Sequence, residues 1–222
     1  MFTGIIQAVG TIAAIESRGG DVRLRIQSGG LPLSDVQLGD SIATNGICLT
    51  AVELPGDGFA ADVSRETLSL STLGGLRSGS RVNLEKALTL STPLGGHLVS
   101  GHVDGVGQVV DRHEDGRSIR FSVEAPAELA RYIAHKGSIC VDGASLTVNR
   151  VDGSRFDLNI VPHTMVETVM ADYRSGTQVN LEVDLVARYL ERLLLGESAA
   201  VAGQAAASGI DMTLLAKSGF LR

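Results

Sequence analysis

The chain has 222 residues, a net charge of −6 and no Trp; 44% of its residues are hydrophobic and only 4% aromatic, so strand cores must be built from Val, Ile and Leu. An acidic balance without a Lys/Arg cluster argues against a nucleic-acid partner, because phosphate binding wants a basic face. No apolar run of about 18 residues offers a membrane span, the start Met1-Phe2-Thr3-Gly4-Ile5-Ile6 lacks a basic leader, and Cys48 and Cys140 form neither a disulfide framework nor a zinc site, so a reduced, cytoplasmic, metal-free protein is expected.

Taken in chain order, Val9 to Ile15 and Val22 to Ile26 alternate apolar and polar residues on either side of Arg18-Gly19-Gly20-Asp21, a hairpin pattern. Ser41 to Thr44 and Cys48 to Val52 flank Asn45-Gly46, which supplies the positive φ angles of a tight turn. Gly58 to Val63 follows the turn signal Pro55-Gly56-Asp57, and Arg81 to Leu88 reads as a last strand. The pattern then recurs. Shifted by 97 positions without a gap, 21 of the 88 pairs beginning at Met1 are identical, among them Gly4/Gly101, Gly46/Gly143, Leu49-Thr50/Leu146-Thr147 and Val82-Asn83-Leu84-Glu85/Val179-Asn180-Leu181-Glu182. Chance does not hold register so long, and a period of this length suits one small domain rather than a solenoid repeat. Six strands per copy point to a small barrel or sandwich. The second copy adds an expected short helix from Pro126 to His135.

After the second copy the period becomes helical. Leu185, Val186, Tyr189, Leu190, Leu193 and Leu194 share one face, opposite Arg188, Glu191 and Arg192. Such a stripe fits either packing on the chain's own barrel or an oligomer contact. Glu197 to Gly209 reads as a link, and Asp211 as the cap of a short helix stopping near Gly219.

Chemistry is sought where the copies diverge in register. Asn45-Gly46-Ile47-Cys48-Leu49-Thr50 corresponds to Asp142-Gly143-Ala144-Ser145-Leu146-Thr147, which puts a thiol or hydroxyl and a second hydroxyl on one strand face. A small buried Cys replacing a small Ser explains the first exchange equally well. In Gly96-His97-Leu98-Val99-Ser100-Gly101-His102-Val103-Asp104, His102 stands where the first copy has Ile5. Two histidines among glycines suit acid/base work better than a metal pair lacking a third ligand, with a solvated linker histidine as the alternative. Asp62-Val63-Ser64-Arg65-Glu66-Thr67 and Asn159-Ile160-Val161-Pro162-His163-Thr164 each leave a strand and enter a turn, where backbone groups are free to hold a polar ring. No phosphate loop, nucleophile elbow or paired metal motif is present.

These segments, in this order and spacing, resemble the riboflavin synthase family over the whole chain. The resemblance implies a mainly β fold of two tandem six-stranded Greek-key β-barrels with a C-terminal α-helix: a lumazine-binding barrel over 1–97, a second over 98–183, and a trimerisation helix and tail over 184–222. It implies a homotrimer with active sites between subunits, and a cofactor-free dismutation in which two molecules of 6,7-dimethyl-8-ribityllumazine exchange a four-carbon unit. An association with lumazine synthase is left open. Carried over by position, one pocket comprises Gly4, Ile5 and Ile6, Cys48, Leu49 and Thr50, and Asp62, Val63, Ser64, Arg65, Glu66 and Thr67. The other comprises Gly101, His102 and Val103, Ser145, Leu146 and Thr147, and Asn159, Ile160, Val161, Pro162, His163 and Thr164, with Lys136 reaching in. Cys48, His102, Ser145 and Thr147 form the expected proton and nucleophile relay, Asp184 orients a partner and Phe2 closes the pocket. The rival is a non-catalytic lumazine- or flavin-binding antenna protein; a structural barrel pair would not need polar groups at matched strand ends.

Overall fold

A computed structural model describes residues 1–196 and 199; the expected link over 197–209 and the short helix from Asp211 lie outside these residues, apart from residue 199. Residues Met1–Asp184 form one compact unit and the segment from Leu185 onward another.

The first repeat contains β1 (Ala8–Arg18), β2 (Asp21–Gln27), β3 (Ser41–Thr44), β4 (Ile47–Thr50), β5 (Gly58–Val63) and β6 (Arg81–Lys86). The second contains β7 (Gly105–Asp115), β8 (Ser118–Glu124), β9 (Ser138–Val141), β10 (Ala144–Asp152), β11 (Arg155–Ile160) and β12 (Gln178–Val183). Both follow one topology. The first sheet runs β4-β3-β6-β1-β2-β5, and the second closes as a barrel, β10-β11-β8-β7-β12-β9. Even the irregularities are duplicated: β1 slips register between Ile12 and Ala14, and β7 does so between Val109 and Asp111. Such bulges sharpen strand twist and help a small sheet to curl.

The copies differ in how they close. β10 runs on to Asp152 and pairs with β11 down to Asp152↔Arg155. In the first repeat β4 stops at Thr50, and the edges meet at the single bridge Glu53↔Ala60. Pro55 occupies the position matching Asp152, and a proline has no N–H with which to extend a ladder. The turns Asn45-Gly46 and Asp142-Gly143 have positive φ at both residues, as the sequence suggests.

Each repeat wraps its own apolar core, with Phe59 in one and Phe156 in the other fully buried. A small cluster of Phe2, Ala43, Val99 and Cys140 forms a third core. Where the sequence suggests strands running into turns, short helices follow: α1 (Arg65–Leu70), capped by the Ser64 hydroxyl accepting from Thr67 N–H, and α2 (Pro162–Glu167) with proline in its first turn. Six residues are too few to display a helical period. The expected helix after Pro126 is a 3-10 turn, Ala127–Tyr132. In the separate unit, α3 (Leu185–Leu194) is amphipathic, with Val186, Tyr189, Leu190 and Leu193 exposed.

Candidate active site

The two repeats are joined by reciprocal contacts, as an approximate two-fold axis requires. Asn83 Nδ2 donates to the Asp142 carbonyl (2.8 Å), and its equivalent Asn180 Nδ2 donates to the Asn45 carbonyl (2.9 Å). Their amide oxygens accept from Val169 N–H and Thr72 N–H, both at 2.8 Å. Gly46 and Gly143 touch backbone to backbone, and a Cβ on Gly46 would lie 2.7 Å from the Gly143 nitrogen. Only glycine fits there at positive φ.

On this frame the leading segments of the two repeats pair with each other, Phe2 N–H to the Val99 carbonyl at 2.7 Å and Val99 N–H to the Phe2 carbonyl at 3.1 Å. Each then crosses to the other barrel. The Gly4 carbonyl accepts from Ser145 N–H on β10 (2.7 Å), and the Gly101 carbonyl accepts from Cys48 N–H on β4 (2.9 Å). A buried carboxylate of the segment's own repeat holds its other side. Glu85 accepts from Thr3 N–H, the Thr3 hydroxyl and Gly4 N–H, while Glu182 accepts from Ser100 N–H, the Ser100 hydroxyl, Gly101 N–H and His102 N–H. Burial pushes the Glu85 carboxyl above its usual range, against the pull of these hydrogen bonds.

This crossing corrects the grouping by repeat. Gly4, Ile5 and Ile6 belong with Ser145, and Gly101, His102 and Val103 belong with Cys48, because each leading segment leaves its own barrel. The turn segments lie at the same ends. In the second barrel the antiparallel ladder pairing Val148 with Leu158 runs toward Ser145 on one strand and Ile160 on the other. In the first, Val52 N–H donates to the Ala60 carbonyl and the chains run on toward Cys48 and Val63. Lys136, at φ 63°, donates its N–H to the Val148 carbonyl at 2.8 Å and so stands beside β10.

Strand alternation sorts the remaining residues. Cys48 is half-buried and Thr50 exposed on one face, Ser145 half-buried and Thr147 exposed on the equivalent one. Leu49, Val63 and Ile160 are core side chains, which leaves only their backbone groups open to a ligand, and the half-buried Leu146 packs against the core. Phe2, wholly buried beneath Gly101, is a floor of the site rather than a closing lid. His102, Ile5, Val161, Pro162 and His163 are exposed, as are Asn159, Ser64, Arg65 and Glu66, with Thr67 and Thr164 half-buried. Asp62 is engaged by Arg23 from the neighbouring strand through two hydrogen bonds of 2.7 and 2.8 Å, which hold its carboxyl below the usual range. A separate recess of about 280 Å³, lined by Ser122, Arg150, Asp152, Arg155 and Asp157, lies at the opposite, hairpin end of β10 and β11.

One of the two linker histidines that the sequence offers for acid/base work lies outside both pockets carried over by the resemblance. His97 is 9% exposed, and its Nδ1 lies 2.7 Å from Ser145 Oγ. Its backbone N–H donates to the Thr3 carbonyl. Burial lowers its pKa below the ordinary histidine value, while the negative charges of Asp184 and Glu182 act in the opposite sense. Position 97 precedes the start of the second copy, so no residue of the first stands in register with it. Proximity to a divergent Ser was the missing signal, and only the fold supplies it.

A sequence profile of the lumazine binding domain matches residues 3–87 and again 100–184. Riboflavin synthase of Photobacterium phosphoreum is 50% identical over 100% of both chains, and that of Photobacterium leiognathi 47% identical over 87% of this chain and 89% of its own. The crystal structure of LumP complexed with riboflavin superposes with a TM-score of 0.75 at 26% identity, covering 82% of this chain and 99% of that one. LumP complexed with 6,7-dimethyl-8-(1'-D-ribityl) lumazine gives 0.73 at 25%, with the same coverage. The duplicated profile and the full-length identity agree with the crossed, twofold arrangement of matched half-sites, and the chain belongs to the riboflavin synthase family of tandem lumazine binding domains.

Proposed function

We propose that this chain is a riboflavin synthase, a transferase that dismutates two molecules of 6,7-dimethyl-8-ribityllumazine. A four-carbon unit passes from one to the other, giving riboflavin and 5-amino-6-(D-ribitylamino)uracil, the last step of riboflavin biosynthesis. The observation that carries this reading is the 50% identity to a riboflavin synthase along the whole chain. Two identical substrates need two similar pockets, and unequal roles need those pockets to differ at the reacting edge. No cofactor is called for, since one substrate donates the carbons that the other accepts.

One half-site comprises Gly101 to Val103, Cys48 to Thr50 and Asp62 to Thr67. The other comprises Gly4 to Ile6, Lys136, Ser145 to Thr147 and Asn159 to Thr164. His102 carries protons, Cys48, Ser145 and Thr147 assist addition to the acceptor ring, and Asp184 orients a partner across the subunit interface. The functional divisions are a barrel over 1–97, a barrel over 98–183 and a trimerisation segment over 184–222. The active assembly is a cytoplasmic homotrimer in which half-sites of neighbouring subunits face each other; the exposed apolar stripe of α3 supports this. Lumazine synthase is a candidate partner in the same pathway. Holding two rings in reacting geometry supplies much of the acceleration, because effective molarities reach the order of 10⁵ M.

The likeness to LumP structures holding riboflavin and a lumazine favours a second reading, binding without turnover in an antenna protein. One assay separates them. Purified protein is mixed with 6,7-dimethyl-8-ribityllumazine alone and riboflavin is followed by absorbance. Steady formation of one riboflavin for two substrates consumed establishes the dismutation, whereas tight binding without product establishes the antenna.

A further inference from the structure

We infer that His97 is the positioning residue for Ser145: its Nδ1 accepts the Ser145 hydroxyl hydrogen and fixes where the oxygen's lone pairs point. The inference rests on the functional reading above, because it assigns work to a half-site of that reaction. Three observations carry it. The Nδ1 to Oγ distance is 2.7 Å, and the imidazole is buried. The serine is closely packed, since a Cβ on Gly96 would lie 3.0 Å from Ser145 Oγ and 2.1 Å from the Thr3 carbonyl oxygen. And Nε2 is buried without a hydrogen-bond partner among the described residues, so the ring's one fixed polar contact is with the serine.

A hydroxyl whose hydrogen is committed to Nδ1 presents its lone pairs elsewhere, toward the open side of the strand face. When the oxygen adds to an electrophilic carbon of the substrate's conjugated C=N system, its proton passes to Nδ1, the O–H electron pair stays on oxygen as the C–O bond forms, and the displaced π pair moves onto the substrate's ring nitrogen. The imidazolium so formed is compensated by the negative charges of Asp184 and Glu182, the charged groups that face it. Burial keeps the resting ring neutral and therefore able to accept. Among the described residues the arrangement occurs in one half-site. Cys48, the equivalent of Ser145, meets Gly101 from the segment that crosses to it, whereas His97 comes from the single connection between the repeats.

The test begins with nitrogen-15 histidine correlation spectra of the full-length chain without substrate. The His97 signal is expected in the neutral Nε2–H tautomer at neutral pH, and Ser145→Ala is expected to shift its Nδ1 resonance while leaving His113 unmoved. A His97 protonated at Nδ1, or a resonance indifferent to Ser145→Ala, overturns the inference. In turnover, His97→Gln and Ser145→Ala should each lower kcat about 100-fold, with the double variant no slower than the slower single one. Additive losses, or a His97→Gln variant with unchanged kcat, overturn it too. Wild-type protein that binds the lumazine but makes no riboflavin defeats the functional reading instead, and the spectra still decide whether His97 orients Ser145.

Discussion

The two half-sites are built on one plan and finished differently. Around Cys48 the crossing segment brings Gly101 and an exposed His102, held through its backbone by Glu182. Around Ser145 the crossing segment brings Gly4 and an exposed Ile5, and a buried His97 bonded to the serine stands beside them. One half therefore has an accessible imidazole and the other a shielded one. The parts that join the halves are identical residues: Gly4/Gly101, Gly46/Gly143, Asn83/Asn180 and Glu85/Glu182. The joint preserves the symmetry, while the reacting edge breaks it.

The largest test of this comparison is catalytic. Ser145→Ala and His102→Gln should each cost on the order of 100-fold in kcat, and Cys48→Ser less, measured by riboflavin formation. If Cys48→Ser and His102→Gln both kept full turnover, the half-site at Cys48 would have no part in a proton or nucleophile relay.

The second test addresses the joint. Glu182→Ala leaves four donor contacts without an acceptor and Glu85→Ala leaves three, so each should cost about 3–5 kcal/mol in urea unfolding, with Glu182→Ala the greater. Equal, small losses would mean the crossing segments are held by packing alone.

A third distinction lies where Asn45 has Asp142 as its equivalent. Asp142 Oδ2 accepts from Tyr173 O–H at 2.5 Å and Oδ1 from Asn180 N–H at 2.8 Å, and burial raises its pKa to about 7. The folded carboxyl thus binds its proton more tightly than the unfolded one. Its contribution to stability is complete at low pH and is lost as pH rises through about 7. Asp142→Asn, which copies the first repeat, should remove that slope and make the protein more stable than wild type at pH 8 by an amount on the order of 2 kcal/mol. Denaturant titrations at pH 5 and pH 8 measure it, and an unchanged slope would place the titrating group elsewhere.

The smallest effect is expected at Arg23, which pairs with Asp62 and Glu53 at the surface of the first barrel. Arg23→Ala should barely move Tm, because water and salt screen exposed pairs.

Much of this was legible in the sequence, for a specific reason. A gapless register exposes every paired residue, so the strands, the Asn45-Gly46 and Asp142-Gly143 turns and the family resemblance followed from the chain itself. The assembly of the half-sites did not follow. Register reveals which residues are equivalent but not which barrel a segment packs against: it groups Gly4 with Cys48, whereas Gly4 bonds to Ser145. The short helices α1 and α2 lacked the length to show a period. His97 stood in the linker, outside the comparison that singled out His102.

The crossing of the leading segments also bears on how the chain comes to be folded. The strand partner of Phe2 is Val99, and Gly4 comes to rest against Ser145, in a strand made much later. During synthesis the first barrel can collapse around its own core, yet its opening residues must stay unplaced until β10 has emerged. Contacts so distant along the chain are slow to form and leave edges open meanwhile. The last event in the folding of one chain is therefore expected at the crossing segments that complete the two proposed half-sites, so that a competent half-site reports a finished fold.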